Sequence, residues 1–346
     1  MITKIGLDLG FSNITISDVT SGISREAAIA LIDRNTNRIL SLGNAAMSVQ
    51  PEEGQDAVLV RPFKNGLLYS AELTSAIIEN AIAAVLPADS IRCVLGIASD
   101  MNPKQQKELY AMLLHAGVQE VYGARRAVAA LIGAGYAPGM SVISVNIGAS
   151  ATDIAVLYEG IILTSQTAMI GGEDFDKAVK QYIFEQGDVN VSLSVARAIK
   201  EKLGAVWPGK SNEELCIEGT LSLTGNRINM TVSTEDILGV FEKPLQSLLM
   251  AIADAVKKIP PENVEAIFKN GIVLSGGMAQ LYGLDKMIEK VLDIPVCLAQ
   301  APMDCVAKGL SRINVFLPER MRSHPKDLTP QLAKFYENRK NKKGNA

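Results

Sequence analysis

One pattern occurs twice in this chain, and it constrains the fold more than any other feature. Met140 to Glu159 (MSVISVNIGASATDIAVLYE) runs an apolar, β-branched segment into the turn Gly148-Ala149-Ser150-Ala151 and out into a second alternating segment. The start of the chain repeats it: Ile5-Gly6-Leu7-Asp8-Leu9-Gly10 enters Phe11-Ser12-Asn13, and Ile14 to Ile16 alternates again. Asp8-Leu9-Gly10 and Asn146-Ile147-Gly148 hold the same place in the two copies. An ordinary tight hairpin accounts for either copy alone. Two copies predict a duplicated molecule, each half offering a turn whose backbone N–H groups no bulky side chain covers.

At 346 residues the chain is too long for one ordinary core, which agrees with two halves. A hydrophobic share of 48% and a charged share of 21% describe a globular protein. A net charge of −3 argues against a generic nucleic-acid binder. The four cysteines (Cys93, Cys216, Cys297, Cys305) show no CxxC spacing, so neither a disulfide framework nor a zinc site is expected, and a reducing cytoplasm is the simplest compartment. Two histidines, His115 and His324, leave little room for histidine-based catalysis. The N-terminal MITKIGLDLG reads as a strand, not a signal peptide. Val128 to Val145 approaches membrane-spanning length, but Gly133, Gly135, Pro138 and Gly139 break it into a helix end and a buried strand.

Strands alternate with helices along the rest, which predicts an α/β fold. Helices are expected at Glu72–Leu86, Asn102–His115, Arg125–Ala134 and Leu193–Leu203, with a long helical region over Thr234–Lys258 and a last helix over Asp304–Ile313. A third small-residue turn, Gly276-Gly277, follows the apolar run Ile272-Val273-Leu274. From Phe316 the composition shifts: Leu317 to Ala346 holds eight Lys/Arg against three Asp/Glu. A solvated, flexible tail is one reading, and contact with an acidic partner or an anionic membrane surface is the other.

Three glycine turns after apolar strands suit a nucleotide held between two halves, because bare backbone amides let phosphates approach closely. A strand-end Asp such as Asp8 suits a hydrated Mg²⁺, or serves as a simple turn-former.

The same motifs, in order, resemble the actin, sugar-kinase and heat-shock-chaperone ATPase superfamily, and within it the MreB-like bacterial actins. The resemblance is carried by IGLDLGFSN (5–13), RPFKNG (61–66), AALIGAG (129–135), VNIGASATDIAV (145–156), GGEDFD (171–176), IKEKLG (199–204), GIVLSGGMA (271–279) and CVAKG (305–309). It implies an actin-like duplicated two-domain α/β fold: a first half at 1–140 with an inserted subdomain near 27–60 and a second at 141–315 with an insert near 181–264; the basic tail, 316–346, lies outside the resemblance. It implies ATP or GTP with Mg²⁺ in the cleft. Asp8, Gly10, Ser12 and Asn13 would form the first phosphate loop, with Asp8 as the metal-side carboxylate. Gly148, Ala149 and Ser150 would form the second, Arg197 and Lys200 would lie near the ribose and base, and Gly276, Gly277, Met278 and Ala279 would face the adenosine. It implies self-assembly into filaments, association with other actin-like or cell-shape proteins, and a cytoplasmic place at the inner face of the membrane; the net charge speaks against a nucleic-acid partner, and the basic tail offers an electrostatic peripheral membrane contact.

The departures from the family pattern fall in the active positions. Phe11 and Ile14 replace threonines of the first loop; Asn146, Ala149, Ser150 and Ala151 replace an Asp, two glycines and a Thr of the second. Arg126 stands where the family carries the glutamate that positions the attacking water, and Arg197 replaces another glutamate. Arginine takes up no proton near neutrality, so weak or lost hydrolysis is expected. An active ATPase is the alternative, with Glu120 or Asp153 supplying the missing carboxylate. A small-molecule kinase needs a base aimed at a substrate hydroxyl, and the cleft motifs offer no convincing candidate.

Overall fold

A computed structural model describes residues 2–49, 56–64, 67–68, 70–83, 85, 90–318 and 327–336. In chain order the first half holds β1 (Ile2–Leu9), β2 (Asn13–Asp18), β3 (Gly22–Ala27), β4 (Ala30–Asp33), β5 (Ile39–Leu42), α1 (Gly43–Ser48) and β6 (Ala57–Val60). The short pair β7 (Phe63–Lys64) and β8 (Leu67–Leu68) follows, then α2 (Ala71–Ala83), β9 (Ser90–Ile97), α3 (Pro103–His115), β10 (Glu120–Arg125) and α4 (Arg126–Gly133). The second half opens with β11 (Val142–Ile147), β12 (Thr152–Tyr158), β13 (Ile161–Ala168), α5 (Gly172–Gly187), β14 (Val189–Asn190) and α6 (Leu193–Leu203). It continues through β15 (Glu214–Leu221), β16 (Arg227–Ser233), α7 (Thr234–Ile237), α8 (Glu242–Val256), α9 (Val264–Asn270), β17 (Ile272–Ser275), α10 (Leu284–Leu292), β18 (Val296–Leu298) and α11 (Cys305–Phe316).

The duplication is a matter of topology as well as motif. One five-stranded sheet has the order β10-β9-β1-β2-β3 and the other β13-β12-β11-β17-β18. In each, the first strand pairs antiparallel with the next and parallel with a strand that arrives much later, β9 or β17. Both inserts are three-stranded sheets, β5-β4-β6 and β14-β15-β16.

Period-2 alternation sets which residues reach the middle of the molecule. Ile5, Leu7 and Leu9 of β1 enter the core of the first half, and Ile143, Val145 and Ile147 of β11 enter that of the second. Their neighbours point the other way, toward α4 and α11. Ser144 Oγ donates to Ala127 O at 2.6 Å, and a Cβ on Gly6 would lie 2.3 Å from Ser311 N. Asp8 and Asn146 share this inward face by the same alternation.

One element of the span that the resemblance gives to the second half, 141–315, packs on the first. Helix α11 lies on the first sheet: Asn314 Nδ2 donates to Ile5 O at 3.0 Å and Arg92 O at 2.7 Å. The last helix therefore crosses back and packs against α4. Two glycines permit the close crossing, since Cβ atoms there would meet backbone at 1.8 Å (Gly133 to Cys305 O) and 1.7 Å (Gly309 to Ala129 O).

The helical region expected over Thr234–Lys258 is made of two helices. Gly239, at φ +92°, breaks it between α7 and α8. The apolar run Val128–Val145 resolves into α4, a turn with Gly135 at φ +101°, and β11. Among the described residues no helix is long and apolar enough to cross a membrane.

Part of the expected flexible tail is docked. Leu328 and Leu332 are buried in the cluster that also holds Ala124, Leu131, Leu310 and Ile313. Leu328 N donates to Gly123 O at 2.7 Å, and Asp327 pairs with Arg125 at 3.3 Å. The basic composition of the tail hid a short apolar anchor, Leu328 and Leu332. The remaining tail, 319–326 and 337–346, and residues 86–89 lie outside the described residues. Leu328→Ala is expected to destabilise the protein by about 2–5 kcal/mol, read as a lower urea midpoint at unchanged slope.

Candidate functional site

The two repeated turns close in the same way. Gly10 N donates to Asn13 O and Gly148 N to Ala151 O, both at 2.9 Å. The second turn also carries the start of α5: Gly172 N reaches Gly148 O at 3.0 Å and Glu173 N reaches Ala149 O at 2.7 Å. Close approach explains the small residues here, since a Cβ on Gly171 would lie 2.8 Å from Ala149 C. The third turn is locked by Gly276, whose φ is +90° and whose Cβ would meet Ile147 O at 2.2 Å.

Between the two halves these turns line a cavity of about 700 Å³, within the range of small-molecule sites. Asp8, Gly10, Ser12, Asn13, Arg126, Asn146, Gly148, Ala149, Ser150, Arg197, Lys200, Gly276, Gly277 and Met278 all line it. Ala279 does not: it is buried in the core of the second half, because the chain after Gly277 makes a tight 3₁₀ turn that brings Gln280 to the wall instead. The sequence reading missed Arg25, Glu201, Lys210 and Tyr282, which also line the cavity. Glu201 adjoins the recognised Lys200; the other three had no local signal.

Arg126 occupies the middle of the cleft. It is the first residue of α4, and its Nη2 donates to Leu9 O at 2.9 Å. Its Nε lies 3.4 Å from Asp8 Oδ1 in the first half, and its Nη1 3.7 Å from Asp153 Oδ2 in the second. Burial pushes both carboxyls above their usual pKa, and the Arg126 charge pulls each back down. Thr167 Oγ1 also donates to Asp153 Oδ1 at 2.7 Å.

The register shows how the two halves divide their acids. Asp8 pairs with Thr15 across the first hairpin, and Asn146 with Asp153 across the second. Each half thus supplies one carboxylate, from opposite members of its hairpin. Of the two residues considered as a replacement carboxylate, Asp153 is in the cleft. Glu120 is not a cleft residue: it pairs with the buried Arg92 at 2.6 Å. Asn146 Oδ1 accepts from Ser275 Oγ at 3.2 Å.

Two cations of α6 that line the cavity are held from behind by the fully buried Asp176: Lys200 Nζ at 2.6 Å and Arg197 Nε at 3.2 Å. Lys200 also donates to Gly172 O at 2.9 Å, which ties α6 to the start of α5. Phe11, out of pattern in the first turn, has a local partner. The Arg61 guanidinium lies 5.1 Å from its ring centre and donates to Phe11 O at 3.2 Å.

The expected Mg²⁺ site at Asp8 is not supported by this geometry. A guanidinium already faces both cleft carboxylates, and Asn146 brings no charge. Among the described residues no three His, Cys, Asp or Glu side chains converge as a metal site.

Duplicated five-stranded sheets, an insert on each and a cavity between them define an actin-like protein. The chain belongs to the MreB/Mbl family, whose model matches residues 2–320. It is 31% identical to the cell shape-determining protein Mbl of Bacillus cereus over 312 residues, 88% of this chain and 93% of that one. It is 27% identical to the cell shape-determining protein MreB of Escherichia coli over 318 residues, 88% of this chain and 91% of that one. Among solved structures, MreB5 of Spiroplasma citri bound to ADP superposes with a TM-score of 0.82 at 23% identity, covering 88% of this chain and 94% of that one. The MamK double helical filament does so with 0.79 at 20% identity, covering 92% and 100%.

Proposed function

We propose that this chain is a cytoplasmic cytoskeletal element of cell shape that assembles into filaments of itself, holds ATP or GTP in the cleft, and turns it over slowly or not at all. Membership of the MreB/Mbl family and the likeness to a protein solved as a double helical filament support self-assembly. Likeness to a protein solved with ADP and with AMPPNP supports nucleotide in the cleft, as does a cavity of suitable size between paired glycine turns. The reading of slow turnover rests on Arg126. By the resemblance it stands where the family carries a water-positioning glutamate; it accepts no proton near neutrality and is held between Asp8 and Asp153. A guanidinium there stabilises phosphate oxygens in the ground state as well as in any transition state, which favours holding over cleaving.

A second reading has one observation in its favour. Asp153 is a buried carboxyl in the cleft, and burial raises its pKa, which suits a proton acceptor. An ATPase built on Asp153 would release phosphate rapidly and lose that activity in Asp153→Asn.

High-speed sedimentation of the full chain with and without nucleotide tests assembly. Nucleotide-dependent pelleting, with filaments in negative stain, is the expected result. A monodisperse protein at high concentration with every nucleotide would remove the filament reading.

A further inference from the structure

We infer that the phosphate end of the cleft carries its own counter-charge, Arg126, and holds a nucleoside triphosphate without a divalent cation. The inference rests on the proposed nucleotide site and concerns what neutralises the phosphates in it.

The first observation is position. Arg126 begins α4, whose residues Ala127 to Ile132 are all buried, so the helix cannot swing away without opening the core. Nη2 is pinned on Leu9 O at the end of β1, directly before the first turn. Nε and Nη1 lie toward Asp8 and Asp153, and the group lines the cavity with both turns. The guanidinium N–H donors that Leu9 O does not take suit phosphate oxygens at that wall.

The second is charge. One carboxylate from each half lies within ion-pair reach of this one cation. A divalent ion lodged between the same carboxylates would stand against the guanidinium in a space of low effective dielectric, where like charges repel strongly. Magnesium also favours anionic oxygen, and the position opposite Asp153 is Asn146, whose Oδ1 already accepts from Ser275.

The third is a buried hydroxyl. Arg126 Nε and Asp8 Oδ1 face each other as an ion pair without a hydrogen bond, but Ser12 Oγ, on the first turn, is buried with no hydrogen bond among the described residues. Buried polar atoms are normally satisfied, so an unpaired hydroxyl at the cavity wall points to a missing partner, and a phosphate oxygen would accept from it.

The fourth is a broken local rule. A cation in the first turn of a helix opposes the helix dipole, and no side chain caps α4. Local preference is given up where a site demands it.

Titration of the full chain with a fluorescent ATP analogue, in Mg²⁺ and in EDTA, tests the inference. Wild-type dissociation constants are expected to agree within about threefold between the two conditions. Arg126→Gln is expected to weaken binding in EDTA by about tenfold or more, the loss expected of a charge-assisted hydrogen bond, and to regain part of it with Mg²⁺. Arg126→Glu is expected to bind only with Mg²⁺. Circular dichroism checks both variants, and Arg126→Gln carries the test if the Glu variant does not fold. Wild-type binding that needs Mg²⁺ overturns the inference and leaves the nucleotide site standing. So does an Arg126→Gln variant as tight as wild type in EDTA. No binding in either condition overturns the inference and the nucleotide reading together.

Discussion

Gly309→Val is expected to be among the most damaging single substitutions in this protein, and Gly133→Val its counterpart. The added Cβ would meet Ala129 O at 1.7 Å in the first case and Cys305 O at 1.8 Å in the second. Both obstacles are backbone, so no rotamer relieves them. Helices α4 and α11 must separate, yet each is fastened elsewhere. Asn314 ties α11 to β1 and β9, and Arg312 Nη1 donates to Ile132 O at 2.8 Å at the end of α4. The expected loss is at or above the upper end of the about 1–3 kcal/mol typical of overpacking. It should appear as a large drop in thermal midpoint. Nucleotide affinity should fall with it, because α4 carries Arg126. Gly139→Ala, where a Cβ meets nothing within 4 Å, is the matched control and should change stability by less than about 0.5 kcal/mol. Equal stability of Gly309→Val and the control would show that the crossing is not the close contact described.

The second large effect is a gain. Arg126→Glu combined with Asn146→Asp is expected to raise Mg²⁺-dependent phosphate release by about 10²-fold or more, the contribution of a positioned general base. The glutamate would sit between the two turns, where the guanidinium now contacts Asp8 and Asp153. It also suits the first turn of a helix better than a cation does. Three carboxylates would then crowd the cleft, which is why the gain should require Mg²⁺. Release that stays at the wild-type level in a folded double variant would mean that Arg126 is not what limits turnover.

The sequence made the frame legible because the frame is local and repeated. Each apolar strand, small-residue turn and alternating return strand lies within about fifteen residues, and the copies confirm each other. The cap at Asn102, which accepts from Gln105 N, and the stop at Gly204 were equally local signals. What stayed hidden depends on contacts far apart in the chain. Nothing near residue 310 says that α11 returns to β1, since the evidence is a pair of glycines 176 positions apart that touch the opposite helix. Residues 328 and 332 anchor to a cluster built mostly from earlier segments. The substitution of Asn146 was visible, but its meaning was not. Only the register shows that Asp153 stands opposite it and keeps one carboxylate per half.

The nucleotide content of pelleted filaments tests the central claim most directly. Full-length protein would be assembled with ATP or GTP in Mg²⁺, sedimented, washed, denatured, and the released nucleotide separated by ion-exchange chromatography. A cleft that holds without cleaving predicts close to one nucleotide per chain, recovered mainly as the triphosphate even after prolonged incubation. Filaments that contain mainly diphosphate, with an equal amount of free phosphate in the supernatant, would contradict it.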